Sequence, residues 1–139
     1  MFRITNYQSR VTHRMLQAVY NLRMAMFLGC VAALLYGIFR AAPPPDLFDQ
    51  SDKVGHLLAF GALGLSSRLA FLRLSGWVLW PILAALAPLL EWLQHQLQPL
   101  RIYSLEDALA NLAGVALALV FWAFVRRYVS ADALLVARR

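Results

Sequence analysis

Apolar residues fall into four long runs that are separated by short polar segments. The runs cover about residues 24–40, 54–72, 77–97 and 105–126. A helix needs about 20 apolar residues to cross the ~30 Å hydrocarbon layer, a length that the last three runs reach and the first approaches with its flanks. Backbone groups in lipid must bond within the segment, so such runs form helices. The pattern predicts an all-α fold, a four-helix transmembrane bundle.

The two ends of the chain differ from this central domain, which we place at residues 23–128. Residues 1–22 mix cations with scattered apolar residues, which is typical of a short interfacial helix. A cleaved signal peptide is the alternative for the first run, but prolines in "AAPPP" stand where cleavage would occur. We therefore interpret that run as an uncleaved anchor. Residues 129–139 form a tail.

Composition supports a membrane protein and argues against several other classes. Hydrophobic residues make up 61% of the chain and charged residues 14%, whereas soluble domains have about 45–50% and 25%. The net charge of +6 could indicate nucleic-acid binding, but no basic stripe follows a polar face, so we expect no nucleic-acid partner. A single cysteine, Cys30, excludes an internal disulfide and a Cys/His zinc motif. We expect no cofactor.

The distribution of charge predicts the orientation. With the N-terminus in the cytoplasm, ten cations and one acid lie on the inner side, and three cations and six acids on the outer side. These sums, +9 and −3, give the total of +6. The excess of arginine follows the positive-inside rule. Both termini are therefore predicted to be cytoplasmic, with loops 40–52 and 98–104 outside.

This topology brings the polar residues in and beside the last three apolar runs to the outer side of the bundle. These residues are Asp52, Lys53, His56, Glu91, Gln94, Arg101, Asp107 and Asn111. Helical spacing places Asp52 with His56, Glu91 with Gln94, and Asp107 with Asn111 on shared faces. A carboxylate within the membrane costs about 2.5–3.5 kcal/mol and usually faces a partner inside the bundle. Candidate partners of Glu91 are Arg101, Lys53 and His56.

Small residues are predicted to let the helices approach closely around these groups. Gly114 lies in one row of small residues, with Ala110 and Ala118. A second row follows the second helix and consists of Gly55, Ala59, Ala62 and Ser66. Rows of small residues at this spacing are typical of packed membrane helices.

Each polar group also has an ordinary structural interpretation. Ser104 and Asp107 have the spacing of a capping box, and Asp52 could cap the second helix. Lys53 could extend to the lipid headgroups. His56, Glu91 and Asp107 would offer a metal one nitrogen and several oxygens. Because no H-E-x-x-H motif or second deep histidine accompanies them, we expect no metal.

Three blocks of the sequence resemble the VanZ-like family of bacterial integral membrane proteins. They are "DKVGHLLAF" at 52–60, "EWLQ" at 91–94 and "RIYSLEDALANLAG" at 101–114. They match the family pattern of D-K-x-x-H, then E-x-x-Q, then R-x-x-S-x-x-D-x-x-x-N-x-x-G. The resemblance covers about residues 50–126. It implies a multi-pass protein of the bacterial cytoplasmic (inner) membrane, in a family named for resistance to teicoplanin, a glycopeptide antibiotic that acts outside the membrane.

Two functions fit these residues better than a third, an ion-coupled transporter, for which the inner halves of the helices offer no polar path. In the first, an outward-facing pocket binds or acts on an envelope lipid or cell-wall precursor. Arg101 and Lys53 would hold an anionic headgroup, while Glu91, His56 and Asp107 orient it. In the second, the polar cluster is an ion-pair lock that joins the helices of a non-catalytic partner protein, which could be an oligomer. The sequence shows no nucleophile with a partner base, which argues against covalent catalysis but does not decide whether the protein is an enzyme.

Overall fold

A computed structural model describes residues 2–40, 47–98 and 103–128, and these ranges contain four α-helices and no β-strand. The helices are α1 (Phe2–Phe39), α2 (Ser51–Ala70), α3 (Gly76–Leu97) and α4 (Leu105–Tyr128). The all-helical prediction is confirmed for this part of the chain. The predicted tail, residues 129–139, and Arg101 lie outside the described residues.

Three of the helices are long and apolar enough to cross a membrane. They are α1 over Arg10–Phe39, α3 over Gly76–Leu97 and α4 over Leu105–Tyr128. The chain is therefore a multi-pass membrane protein by the length and composition of its helices. The fourth predicted span, 54–72, corresponds to α2, which is 20 residues long. α2 is not among the three, because polar and charged residues at both of its ends lower its hydropathy.

The N-terminal segment differs from its prediction. One continuous helix of 38 residues runs from Phe2 to Phe39, so the expected short helix over residues 1–22 is the first half of α1 rather than a separate element. Residues 10–23 contain no proline or glycine that would interrupt a helix, and the mixed polar and apolar positions continue the helical pattern. Most described side chains between Arg10 and Leu22 are exposed.

A close contact between α2 and α4 forms the most extensive interface of the molecule. A Cβ atom on Gly114 would collide with the Leu57 carbonyl oxygen and lie 2.9 Å from the Gly61 nitrogen. One turn farther along, a Cβ on Gly64 would lie 2.8 Å from the Cβ of Ala118. Glycine therefore lets the two backbones touch, as in other membrane helix pairs. The residue numbers of the contacting pairs rise together along both helices, so α2 and α4 run parallel.

The row of small residues predicted for α2 does not form this interface. Gly61 and Gly64 face α4, whereas Gly55, Ala59 and Ala62 line a cavity beside α1. Each Cβ atom in a contact increases the separation of the two helices. The face of α2 that carries Gly61 and Gly64 can therefore approach α4 most closely, and the face that carries the alanines is turned away from α4.

The remaining contacts define two ends of the bundle. Gly37 near the end of α1 contacts Gln94 near the end of α3, so these two helices are also parallel to each other. The acidic end holds the C-termini of α1 and α3 and the N-termini of α2 and α4, with Asp52, Glu91, Glu106 and Asp107. The basic end is the opposite end of α2, α3 and α4, with Arg68, Arg73, Arg126 and Arg127.

Candidate functional site

His56 on α2 stands at the centre of the polar cluster at the acidic end. Its Nδ1 atom lies 3.1 Å from Asn111 Oδ1 on α4, and its Nε2 atom lies 3.7 Å from Asp107 Oδ2. An amide oxygen only accepts hydrogen bonds, so the Nδ1 atom of His56 carries the hydrogen and donates it. Nε2 therefore faces Asp107, and the imidazole ring is fixed between two side chains of α4.

Asn111 connects this histidine to α3. It is one of the most deeply buried polar residues described, with 1% of its surface exposed. Its Nδ2 atom donates to the carbonyl oxygen of Ala87 at 3.5 Å. A single side chain of α4 thus bonds to both α2 and α3.

Ser104 caps α4, but only one of the two hydrogen bonds of a capping box joins Ser104 and Asp107. The Asp107 N–H donates to Ser104 Oγ at 3.2 Å, which is the ordinary cap of α4. The return bond does not come from Asp107, because the Ser104 N–H donates to Glu91 Oε1 on α3 at 3.4 Å. Capping therefore explains Ser104 but not the carboxylate of Asp107. Within the described ranges, its Oδ1 atom is buried and makes no hydrogen bond.

Glu91 completes a compact group of three ionisable side chains. It is 5% exposed, although it is an acid in an apolar helix. One donor atom from each of His56, Glu91 and Asp107 lies within 4.8 Å of the others. From the sequence we expected no metal at these residues. The fold brings the three side chains together from three helices. Their arrangement has the chemistry of a cation or proton site.

Two glutamines tie α3 to the end of α1. Gln94 Nε2 donates to the Gly37 carbonyl oxygen at 3.0 Å, and Gln98 Nε2 donates to the Phe39 carbonyl oxygen at 3.1 Å. The last carbonyls of a helix have no partner within it, so these bonds cap α1. Gln98 was missed in the sequence, although its spacing of four from Gln94 placed it on the same face.

Asp52 and Lys53 lie at the rim of the cluster. Lys53 Nζ is 3.1 Å from Glu106 Oε2 and 3.6 Å from Asp52 Oδ2. The hydrogen bond to Glu106 raises the pKa of Lys53 above its ordinary value. The backbone N–H of Lys53, together with its ammonium group, lowers the pKa of Asp52. Lys53 thus pairs with rim acids rather than with Glu91, and Glu106 is a partner that the sequence prediction missed.

Beside the cluster lies a cavity of about 710 Å³ that is bounded by all four helices. Its polar part is at the acidic end, where His56, Glu91, Asp107 and Asn111 line it. Its apolar part extends toward the middle of the bundle. That part is lined by Cys30, Ala33, Leu34, Ala59, Phe60, Ala62 and Leu90. The cavity is therefore polar at one end and apolar along the rest of its length.

The structure brings six of the predicted site residues to this cavity. They are Asp52, His56, Glu91, Gln94, Asp107 and Asn111. Lys53 lies outside it, and the predicted role of Arg101 falls outside the described residues. Gly114 lies in the contact with α2, one turn beyond Asn111. Comparisons with protein-family models, curated proteins and solved structures found no match to this chain.

Proposed function

We propose that this chain is a VanZ-like multi-pass protein of the bacterial cytoplasmic membrane. Its cavity at the acidic end binds an envelope lipid or a lipid-linked cell-wall precursor. The polar headgroup lies against His56, Glu91 and Asp107, and part of the apolar chain lies against α1 and α2. The proposal concerns binding, and a link to glycopeptide tolerance would follow from the lipid that is bound.

The course of the chain supports a fourth crossing by α2. α1 and α3 are both long enough to span a membrane, and their C-termini meet where Gln94 bonds to Gly37. Because parallel spans end on the same side, the chain must return across the membrane between them. α2 is the helix that connects them. It is also enclosed by its neighbours, so it needs less apolar surface than a helix that faces lipid on most sides.

The charges of the two ends support an outward-facing cavity. Arg68, Arg73, Arg126 and Arg127 are at the basic end, where cytoplasmic loops carry arginine under the positive-inside rule. The acidic end would then face the cell envelope, with both chain termini in the cytoplasm. An envelope lipid in the outer leaflet would reach the cavity directly.

The three sequence blocks support the family proposal. Asp52 and His56 come from the first block, Glu91 and Gln94 from the second, and Asp107 and Asn111 from the third. All six line one cavity although they are distributed over three helices. A pattern that specified only helix packing would have no need to gather its ionisable residues at one cavity.

The observation that carries the proposal is the two-part lining of the cavity. A lipid is itself a polar group joined to an apolar chain, and the cavity has both environments in the same order. Its volume of about 710 Å³ is within the range of about 300–1,000 Å³ for ligand sites. A solely structural cluster would not require the apolar extension past Ala59 and Phe60.

The test is to narrow the apolar part without touching the polar group. Ala59→Phe places a ring in the cavity, and Leu58→Phe places the same ring on the exposed side of α2. The full chain would be purified and offered phosphatidylglycerol, phosphatidylethanolamine or a polyprenyl phosphate, and bound lipid measured by native mass spectrometry. We expect Leu58→Phe to retain lipid and Ala59→Phe to lose it. Equal retention by both would contradict the proposal.

The interhelical hydrogen bonds favour a second candidate, the structural lock. His56, Asn111, Gln94 and Glu91 together join all four helices. If locking is their whole role, Glu91→Gln lowers the melting temperature, and no lipid alters that of the wild type. If they serve a lipid site, a bound lipid raises the wild-type melting temperature, and Ala59→Phe removes that response.

A further inference from the structure

We propose that His56, Glu91 and Asp107 together bind one divalent transition-metal cation, with Zn²⁺ and Mn²⁺ as the ions best matched to the site. The inference rests on the proposed function in that the site lies in the same cavity. It adds the means by which an acidic cavity would hold an anionic lipid.

The distances are those of side chains that nearly share an ion. Bonds of about 2.0–2.2 Å from zinc to nitrogen or oxygen place two ligands of one ion roughly 3–4 Å apart. His56 Nε2 and Asp107 Oδ2 are already 3.7 Å apart. Glu91 belongs to the same group, because one ligand atom from each of His56, Glu91 and Asp107 lies within 4.8 Å of the others.

The histidine is oriented as metal-binding histidines are. Such residues usually donate their other ring N–H to an oxygen, which fixes the tautomer and aims the free nitrogen at the metal. Here Asn111 accepts from His56 Nδ1 at 3.1 Å, and Nε2 lies 3.7 Å from Asp107 Oδ2. Asn111 is itself held by the Ala87 carbonyl oxygen, so the imidazole orientation is set from a second layer of residues.

The charge of the cavity favours a cation. Among the described residues that line it, the carboxylates of Asp52, Glu91 and Asp107 stand against the single guanidinium of Arg40. The buried Oδ1 atom of Asp107 makes no hydrogen bond to any residue that the structure describes. Buried carboxylates are stable when paired or bound to metal. A cation between Glu91 and Asp107 would therefore stabilise both.

The ligand types select the class of ion. Ca²⁺ and Mg²⁺ prefer oxygen ligands alone, whereas an imidazole combined with carboxylates suits Zn²⁺, Mn²⁺ or Fe²⁺. Three protein ligands leave at least one coordination position open, as in catalytic zinc sites. The same three residues line the cavity, so a lipid phosphate oxygen in the cavity could occupy that position.

The experiment measures metal binding to the full chain after removal of bound ions with a chelator. Equilibrium dialysis against Zn²⁺ and Mn²⁺, with elemental analysis, should give one ion per chain for the wild type. We expect Asp107→Asn and Glu91→Gln to weaken binding at least about tenfold, and Asn111→Ala to weaken it by about 10–100-fold. The matched control is Glu106→Gln, which removes an exposed acid from the same end and should leave binding unchanged.

Two results would overturn the cation site. One is the absence of saturable binding, and the other is equal binding by the wild type, Asp107→Asn and Glu106→Gln. If the variants of the cluster do not fold, pulsed electron paramagnetic resonance of Mn²⁺ bound to the wild type decides. A coupling to one imidazole nitrogen supports the site, and a spectrum without it contradicts the site.

Failure of the cation site can be separated from failure of the lipid proposal. Ala59→Phe should lose lipid and keep the ion, because Ala59 is in the apolar part of the cavity. If the wild type binds the ion and no lipid, the proposed function is wrong and the cation site stands. If chelator-treated protein takes up no ion yet retains lipid fully, the cation site is wrong and the proposed function stands.

Discussion

At the basic end, the charge of Arg68 is held by backbone that follows it closely in the chain. Its Nη1 atom donates to the carbonyl oxygens of Phe71 at 3.1 Å and Leu74 at 2.7 Å, and its Nη2 atom to that of Leu72 at 3.4 Å. The guanidinium carbon also lies 5.2 Å from the centre of the Trp122 ring. Arg68 therefore closes the turn after α2 and at the same time contacts α4.

At the acidic end, charged and polar groups are held by residues far away in the chain. His56 and Asn111 are 55 positions apart, and Gln94 and Gly37 are 57 apart. Glu91 accepts from the backbone N–H of Ser104, 13 positions away, at the start of α4. A short-range arginine cap needs no cavity and is explained by the turn that it closes. A long-range gathering of acids and histidine beside a cavity is not needed for any one turn, and this contrast is why we place the function at the acidic end.

The largest expected effect comes from the contact between α2 and α4, on which both ends depend. Gly114→Ala adds a Cβ that meets the backbone of Leu57 and Gly61, neither of which can move aside without shifting α2. We expect a loss of about 3 kcal/mol in the free energy of unfolding, which is typical of overpacking against backbone. The measurement is unfolding of the purified protein in a denaturing detergent titration.

Gly55→Ala is the matched control for this substitution. A Cβ on Gly55 would meet no atom within 4 Å, so the only change is the better helix propensity of alanine, worth up to about 1 kcal/mol. Gly55→Ala should therefore be as stable as the wild type or slightly more stable. If Gly114→Ala matched the stability of Gly55→Ala, the close approach of α2 and α4 would be contradicted.

A smaller effect separates the two ends directly. Arg68→Lys keeps the positive charge but loses the planar group that reaches three carbonyl oxygens. We expect a loss of about 1–2 kcal/mol in stability, with lipid and ion binding at the acidic end unchanged. Arg126→Lys, on the exposed face of α4, should change neither. Loss of ion binding in folded Arg68→Lys would show that the two ends are coupled and that the contrast between them is wrong.

Helix positions follow from hydropathy more closely than helix faces do. The runs at 77–97 and 105–126 agree with α3 and α4 to within two residues, because apolar segments of that length are helical in lipid. α2 was placed at 54–72 but begins at Ser51, since a pattern of apolar residues cannot include the polar first turn of a helix. The sequence did not show which row of small residues in α2 makes the closest contact, because Gly61 and Gly64 differ from their alanine neighbours in approach distance rather than in polarity.

The candidate site was predictable as a set of residues but not as a geometry. Charge and the three blocks named His56, Glu91, Asp107 and Asn111 together, and the structure places them around one cavity. The division of the capping box between Ser104 and Glu91 depends on how α3 is rotated and how far it reaches along α4. The partner of Lys53 depends on the same kind of information. α4 is apolar over most of its surface, so its sequence does not show which of its faces lies against α3.

The smallest expected effect concerns the rim of the acidic end, which we distinguish from the cavity. Lys53→Gln and Glu106→Gln each remove one side of an ion pair whose glutamate side chain is 73% exposed. We expect a slight fall in melting temperature at low salt and none at high salt, because exposed pairs are screened. The double variant should match Lys53→Gln, because that change already removes the pair with Glu106 as well as the contact with Asp52. Since the hydrogen bond to Glu106 raises the pKa of Lys53, the contribution of the pair is complete at neutral pH and is lost as the pH rises through that raised pKa. A fall in melting temperature that persisted at high salt, or a loss of ion binding in Glu106→Gln, would extend the site from the cavity to the rim.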